Sequence, residues 1–299
     1  MGNFVSNNTN NKQAYIIALI TVAIWASAFP ASRYALEHYS PMTLMLLRFI
    51  FASGTLIVIG LIKKIRLPQK KDILKFLGAG FVGIFLYMLF FNLGVVTVVS
   101  GVASFIVASS PVWTLIMSGF FLKEKVGLLS WIGISISFLG LVIVMLTQLA
   151  EFAMSIGVVL ILLSAFSTGV HSLVQRSFLK NYTALEATTY SIVAATIFML
   201  IFIPGMITEI PGTPIYVNLL VIYLGVVPAA LGYLCWGFAL SKAEKIANVA
   251  VFLYLIPFAA SILAFFWLGE TFSLLSLLGG VIIISGMFVS NFMGKKDNR

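Results

Sequence analysis

The chain carries the stretch PVWTLIMSGFFLKEKVGLLSWIGISISFLG at residues 111–140 and a related stretch, PFAASILAFFWLGETFSLLSLLGGVIIISG, at residues 257–286. Without gaps, a shift of 146 residues aligns a proline, a leucine, a glutamate and two glycines of these copies: Pro111 with Pro257, Leu122 with Leu268, Glu124 with Glu270, Gly133 with Gly279 and Gly140 with Gly286. The same shift aligns Tyr87 with Tyr233, so the similarity extends upstream. A fixed spacing of about half the chain indicates an internal duplication.

The composition is that of a membrane protein. Of the 299 residues, 61% are hydrophobic and only 9% are charged, whereas soluble domains carry about 25% charged residues. The net charge of +9 also occurs in nucleic-acid-binding proteins, but in a membrane chain a basic balance usually reflects cytoplasmic loops. The single cysteine, Cys235, lies in an apolar segment, which excludes a disulfide framework. We therefore expect a lipid bilayer, and no nucleic acid, as the partner.

Ten apolar segments are long enough for a helix of about 20 residues to cross the hydrocarbon core. The expected spans are residues 14–34, 42–62, 73–92, 97–121, 127–147, 154–175, 186–205, 216–240, 245–268 and 272–293. We predict an all-α integral membrane protein with one five-helix repeat at 14–147, a second at 154–293, and tails at 1–13 and 294–299. The Asn-rich, uncharged start of the chain is expected to be a short disordered tail.

The positions of the cations test this count independently, because short cytoplasmic loops collect Lys and Arg. With the N-terminus inside, every Lys and Arg falls in a cytoplasmic segment except Arg33 and Arg48. Ten spans with both tails in the cytoplasm fit this distribution. Since five is an odd number, the second repeat enters the membrane in the opposite sense. Inverted repeats are typical of secondary transporters that work by alternating access.

The sequence resembles the EamA group of ten-span exporters in the drug/metabolite transporter superfamily. The residues that carry the resemblance are Trp25 to Arg33 (WASAFPASR), Leu47-Arg48-Phe49 and the two Pro…Leu-x-Glu…Gly…Gly stretches. The resemblance extends from Ala14 to Phe292. It implies an exporter of small metabolites such as amino acids, located in the cell (plasma or inner) membrane and working without ATP hydrolysis.

Prolines within the spans mark candidate bends beside a transport pathway, since irregular backbone at membrane depth is tolerated where it lines a cavity. Pro111 and Pro257 form the repeat-related pair, and a packing kink is the alternative. Polar side chains in the same spans need hydrogen-bond partners in the bilayer. The candidates are Ser109, Ser110, Asn248 and Tyr254. Bonding between helices is the alternative for the serines, and helix capping is the alternative for the asparagine.

Aromatic residues form a second group of pathway candidates, although most membrane aromatics pack the interior or form interfacial belts. Tyr87 and Tyr233 rank first because the repeat places them symmetrically about the inferred axis. The other members are Trp25 and Trp236. A cavity walled by Tyr and Trp, with hydroxyls and no fixed charge, suits neutral, zwitterionic or amphipathic small molecules.

Ionisable groups inside the membrane are costly and are candidates for a function. Arg48 lies within the second span and matches the Arg-aromatic pair of the resemblance, so we expect a structural arginine paired with backbone carbonyls. His171 lies in the sixth span, where a proton relay and a simple hydrogen bond are both open. No acidic residue occurs between Ala14 and Leu36, which speaks against antiport driven by a carboxylate in the first span.

The remaining motif residues are expected to be structural. Glu270 lies at a helix boundary, where it could pair with backbone amides at the start of the following helix. The repeated glycines recur at seven-residue spacing, which keeps them on one helix face and lets helices approach closely. We assign helix packing to Gly133, Gly140, Gly279 and Gly286.

Two other function classes compete with a transporter. An integral-membrane enzyme needs convergent ionisable groups or a metal cluster at one depth, and two histidines with nine acids mostly in loops do not supply them. A non-transporting sensor or scaffold would more naturally carry a soluble domain, for which the loops are too short. We therefore predict a small-molecule substrate, no enzymatic activity, no metal and no cofactor. A monomer is compatible with this pattern.

Overall fold

The described part of the chain is helical throughout and contains no strand. The structure is a computed structural model that describes residues 2–110, 112–113, 116–117, 128–149, 156–242, 251–271 and 273–289. The α-helices of the first half are α1 (Gly2–Ala35), α2 (Pro41–Ile62), α3 (Lys70–Ala79), α4 (Leu86–Val95), α5 (Ser100–Val107) and α6 (Leu128–Leu149). Those of the second half are α7 (Ile156–Phe178), α8 (Ala184–Met199), α9 (Ile203–Glu209), α10 (Ile215–Leu224), α11 (Tyr233–Lys242), α12 (Ile256–Leu268) and α13 (Leu274–Phe288).

Several helical rods change their hydrogen-bond pattern part-way. A π-helix at Gly80–Phe85 joins α3 to α4, and a second at Gly225–Gly232 joins α10 to α11. Short 3₁₀ segments lie at Leu200–Phe202, Ile210–Gly212 and Val251–Leu255. The last of these leads directly into α12, so the backbone is irregular just before Pro257.

Within the described residues, six rods are long and apolar enough to cross a membrane, and three shorter helices are also apolar. The six are Lys12–Ala35, Pro41–Ile62, Lys70–Val95, Ile156–Gln175, Ala184–Gly212 and Ile215–Ala239. The shorter ones are Trp131–Gly140, Ile256–Leu268 and Leu274–Gly286. The expectation of an all-helical chain is confirmed for these residues, whereas ten spans in two inverted repeats stay a prediction.

The N-terminus differs from the expectation. Helix α1 begins at Gly2, so the prediction of a disordered tail is wrong from that residue onwards. Between Asn3 and Phe29 the sequence has no glycine or proline, and extending an existing helix adds about one backbone hydrogen bond for each residue that is ordered. The apolar part of α1 therefore continues back into the Asn-rich residues. Pro30 lies inside α1 without ending it.

Helices α6 and α13 approach each other through glycines. A Cβ atom added to Gly140 would lie 2.7 Å from the carbonyl oxygen of Gly279, and one added to Gly286 would lie 2.5 Å from the carbonyl oxygen of Gly133. These two contacts are reciprocal, since each joins one glycine of the first copy to a glycine of the second. Only a residue without a side chain permits such a backbone distance.

Hydrogen bonds also connect equivalent positions of the two halves. Between α6 and α13, Ser137 Oγ donates to the carbonyl oxygen of Ile283 over 3.0 Å, and the two residues are 146 positions apart. Between α2 and α8, the hydroxyls of Ser53 and Thr196 lie 2.7 Å apart and are separated by 143 positions. A shift of 143 residues also aligns the sequence RYALEHY at 33–39 with the sequence RSFLKNY at 176–182.

The two π-helical segments pack in matching ways on the α2–α8 pair. A Cβ atom added to Gly80 would lie 2.6 Å from the backbone nitrogen of Ala195 in α8. One added to Gly225 would lie 2.5 Å from the carbonyl oxygen of Arg48 in α2. Each π-helix therefore packs closely against the second long helix of the opposite half.

Glu270 ties three helix ends together at one end of the bundle. Its carboxylate accepts hydrogen bonds from the backbone nitrogen (3.0 Å) and the hydroxyl (3.1 Å) of Ser100, at the start of α5, and lies 3.7 Å from Arg33 Nε. The expected pairing with the following helix is wrong, because α13 is capped by Ser273, whose hydroxyl accepts from Ser276 N over 3.0 Å. The carboxylate instead reaches a helix that is distant in sequence.

We expect Gly286→Ala to lower the free energy of unfolding by about 1–3 kcal/mol, the usual cost of overpacking. The added methyl group would meet the backbone nitrogen of Ser137 at 2.4 Å. Gly54→Ala is the matched control, because no heavy atom lies within 4 Å of its added Cβ. Thermal unfolding of the purified variants, followed by circular dichroism in detergent, measures both effects. Equal midpoints for the two variants would contradict the glycine interface.

Candidate functional site

Tyr87 and Tyr233 occupy matching places in the two halves, immediately after the two π-helical segments. Tyr87 is the second residue of α4, and Tyr233 is the first residue of α11. π-Helical turns are rare in proteins and frequently occur at functional sites, because the extra residue changes the direction of the side chains that follow. The symmetry read from the sequence therefore coincides with an unusual backbone feature at both positions.

Arg48 lies close to both tyrosines. Its side chain is 5% exposed, and its guanidinium interacts electrostatically with the phenols of Tyr87 and Tyr233. Arg48 Nη1 donates to the hydroxyl of Ser32 in α1 over 3.0 Å, while Arg48 Nε has no partner in the described residues. The expectation was a pairing with backbone carbonyls, and the hydrogen bond found instead is to a side-chain hydroxyl.

Trp25 packs against both Tyr233 and Trp236. The ring centroid of Trp25 lies 5.4 Å from that of Tyr233 and 5.8 Å from that of Trp236. Trp25 Nε1 donates to the carbonyl oxygen of Pro228 over 3.1 Å, so the indole is held against the second π-helix. The structure thus brings three of the predicted aromatic candidates together.

A second aromatic group accompanies Tyr87. The ring centroid of Tyr87 lies 5.9 Å from that of Phe91, which in turn lies 5.4 Å from that of Phe29. Phe29 and Phe91 are buried. Sequence reasoning selected neither phenylalanine as a pathway candidate, because the chain contains 26 of them, although Phe29 lies within the WASAFPASR stretch at 25–33.

His171 lies on the other side of Tyr233. Their ring centroids are 6.0 Å apart, and a Cβ atom added to Gly83 of the first π-helix would lie 2.6 Å from the Cβ of His171. Neither ring nitrogen makes a hydrogen bond of normal geometry in the described residues, although Gln175, one turn further along α7, interacts with the ring. A proton relay through His171 stays a prediction.

The other predicted pathway residues lie apart from this group or outside the described residues. Ser109 is buried, donates to the carbonyl oxygen of Ile106 over 2.6 Å, and lines a narrow gap with Trp113 and Ser137 that includes none of the residues around Arg48. Ser110 follows it in a partly buried position, and Pro257 is buried at the start of α12. Three of the predicted positions lie outside what the structure describes: Pro111, Asn248 and the side chain of Tyr254.

We define the central site as Arg48, Tyr87, Tyr233, Trp25, Trp236, Phe29, Phe91 and His171. Its rings offer apolar surface, its phenols and guanidinium offer hydrogen-bond donors, and the described residues contain no cluster of metal-ligating side chains. Convergent aromatic surface with a few polar groups is typical of a site that binds a small organic molecule.

The sequence profile of the EamA-like transporter family matches residues 12–146 and, separately, residues 155–292. The chain belongs to this family. Membership agrees with the resemblance found in the sequence and confirms that prediction. The EamA-like profile matches the chain twice, and the two matched stretches have bounds close to those of the two repeats expected from the sequence.

Several named relatives of this EamA-like protein are also transporters. "Uncharacterized transporter YdfC" of Bacillus subtilis is 34% identical over 288 residues, which cover 96% of this chain and 94% of the relative. A "probable terminal-alkyne amino-acid exporter" of Streptantibioticus cattleyicolor is 32% identical over 274 residues, or 91% of each chain. A solved crystal structure with 16% identity covers 95% of this chain and 98% of its own, with a TM-score of 0.68, which shows a shared fold.

We expect Tyr87→Ala and Tyr233→Ala each to reduce transport about tenfold, equivalent to about 1.4 kcal/mol of lost interaction. Each substitution removes a ring and a hydroxyl beside Arg48. Phe266→Ala is the control, because Phe266 is 80% exposed on the outer surface of α12. Initial flux in proteoliposomes, normalised to folded protein, measures the effect. Unchanged flux in both tyrosine variants would remove these residues from the pathway.

Proposed function

We propose that this EamA-like protein is a secondary transporter that exports small metabolites, such as amino acids or related amphipathic compounds, by alternating access. The observation that carries the proposal is the pair of repeat-related tyrosines, each directly following a π-helix and each near the same buried arginine. A binding group built from matching parts of two halves suits a site that is exposed first to one side of the membrane and then to the other.

The proposed architecture is ten spans in two inverted five-helix repeats, at residues 14–147 and 154–293. Support comes from the separate match of each half to the family profile, and from the reciprocal glycine contacts between α6 and α13. Exchange of conformations between the halves requires that they have similar structures and meet at self-complementary surfaces. The glycine interface meets the second requirement.

The proposed substrate class follows from the chemistry of the central site. Trp25, Phe29 and Phe91 offer apolar surface to an organic side chain, while the phenols and Arg48 offer donors to a polar end. The relative named a probable amino-acid exporter, 32% identical over nearly the whole chain, supports the same class.

The proposed location is the cell membrane, with both termini in the cytoplasm. This orientation rests on the concentration of Lys and Arg in alternate loops. A monomer contains every part of the proposed pathway, so no second copy is required. The orientation is tested by introducing single cysteines in the two tails of the protein and measuring their accessibility to labelling in intact cells.

We expect purified protein in proteoliposomes to catalyse saturable uptake and counterflow of members of a mixed pool of labelled amino acids. Counterflow is diagnostic, because a carrier that alternates between two faces exchanges labelled for unlabelled substrate without net driving force. Liposomes without protein and liposomes with heat-denatured protein are the controls. Absence of flux across the pool, from protein shown to be folded, would argue against an exporter of amino-acid-like compounds.

A pH gradient imposed across the same proteoliposomes tests the predicted role of His171. If this histidine relays protons, the gradient should stimulate flux in the wild type, and His171→Gln should abolish the stimulation while leaving counterflow active. His38→Gln is a control, because His38 lies beyond the end of α1, away from the central site. A stimulation that survives in His171→Gln would exclude the relay.

A further inference from the structure

The guanidinium of Arg48 is buried, and part of its hydrogen-bonding capacity is unused. A guanidinium has five N–H donors. In the described residues, Nη1 donates to the Ser32 hydroxyl and Nε has no partner. A charge inside the membrane is usually paired with an opposite charge or bonded to backbone carbonyls. Arg48 has neither kind of partner in this part of the chain.

The acidic residues that the structure describes have other partners or are exposed. In the described part, Asp72 pairs with Lys75 (2.8 Å), Glu186 accepts from Thr183 N (2.8 Å), Glu209 accepts from Ser40 N (2.8 Å), Glu270 caps α5, and Glu37 is exposed. The remaining acids fall between or beyond the spans expected from the sequence: Glu124, Glu151, Glu244 and Asp297. Among the described residues, no carboxylate forms an ion pair with Arg48.

The two tyrosine hydroxyls add further donors near the guanidinium. Both phenols lie close enough to Arg48 to interact with it electrostatically. A phenol donates readily to an anion that also accepts from arginine. Three groups that carry donors therefore lie near one another, and no described carboxylate pairs with the guanidinium.

We propose that the missing acceptor is the carboxylate of the transported molecule, held by Arg48 and by the hydroxyls of Tyr87 and Tyr233. The inference rests on the proposed function and names the chemical class that its site selects, namely amino acids and small organic acids. A carboxylate matches the planar fork of a guanidinium. Its single negative charge also neutralises Arg48 inside the bilayer, whereas a phosphate dianion would leave an uncompensated negative charge.

The surrounding rings define the rest of the ligand. Trp25 packs against Tyr233 and Phe91 packs against Tyr87, and neither carries a charge. Trp236 packs against Trp25, and Phe29 packs against Phe91. An apolar side chain packs against such surfaces, and an ammonium group is accepted by the faces of Trp and Tyr rings. A zwitterionic amino acid with an apolar side chain therefore satisfies every part of the site.

The first test compares matched ligands on the wild-type protein and needs no variant. Unlabelled L-leucine and L-phenylalanine, their carboxamides L-leucinamide and L-phenylalaninamide, and inorganic phosphate compete with the amino-acid flux measured in proteoliposomes. We expect each acid to inhibit at a concentration at least about tenfold lower than its amide, the range associated with loss of one charge-assisted hydrogen-bonded contact. Phosphate should inhibit weakly or not at all.

The second test assigns the discrimination to Arg48. Arg48→Gln should abolish the preference for acid over amide, and Arg48→Lys should retain part of it because a lysine keeps the charge without the fork. Arg66→Gln is the matched control, since Arg66 is an exposed arginine in the loop after α2. It should retain the full preference. If Arg48→Gln does not fold, the wild-type comparison alone decides.

The outcomes separate this inference from the proposed function. Strong flux with equal inhibition by acids and amides would overturn the carboxylate assignment and leave the transporter intact. Stronger inhibition by phosphate than by the acids would also overturn it, in favour of a phosphorylated substrate. A preference for acids that survives in folded Arg48→Gln would overturn the role of this residue. No flux from any member of the pool would defeat the proposed function itself.

Discussion

Backbone hydrogen bonding in a hydrocarbon environment constrains this whole structure. Each peptide group that crosses the bilayer must find its partner within the protein, because lipid chains offer none. Helices satisfy that requirement locally, which explains why the regular secondary structure of the described residues is all helical. The places where the regular α-helical pattern changes are then informative. At Gly80–Phe85 and Gly225–Gly232 the change is supported by close packing against α8 and α2.

Close helix approach is the second consequence of the same environment. Apolar side chains gain little by leaving lipid for a protein interior, so helices in membranes associate through fine packing and polar contacts. The reciprocal approach of Gly140 to Gly279 and of Gly286 to Gly133 is of this kind. The hydroxyl pair Ser53–Thr196 serves α2 and α8 in a similar way. Both interfaces join matching helices of the two halves, and they leave the central aromatic residues between other helices.

The central site contains a buried charge that is unfavourable by itself and suited to binding a ligand. Burying the Arg48 guanidinium with one hydroxyl partner is unfavourable in isolation, and such groups persist where a ligand or the surrounding structure compensates them. The phenols of Tyr87 and Tyr233 lie near this charge and carry hydroxyl donors. This combination distinguishes the site from Glu270, Glu186 and Asp72, whose charges are satisfied by neighbouring helix ends and loops.

The sequence by itself determined the features that depend on local composition and on repetition. Apolar segment length predicted an all-helical membrane chain, and the 146-residue spacing paired Tyr87 with Tyr233 and the four packing glycines with one another. The sequence also selected Trp25 and Trp236 as pathway candidates, and the structure places Trp25 against Tyr233 and against Trp236.

Only the tertiary structure decided which distant residues meet. The position of Arg48 near both tyrosines, the contribution of Phe29 and Phe91, and the capping of α5 by Glu270 all join residues far apart in sequence. Hydropathy also did not predict the helical start of α1 or the two π-helices. Local periodicity records which face of a helix is apolar, but a π-helix is stabilised by the packing of other helices against it, and no property of the segment alone encodes that contact.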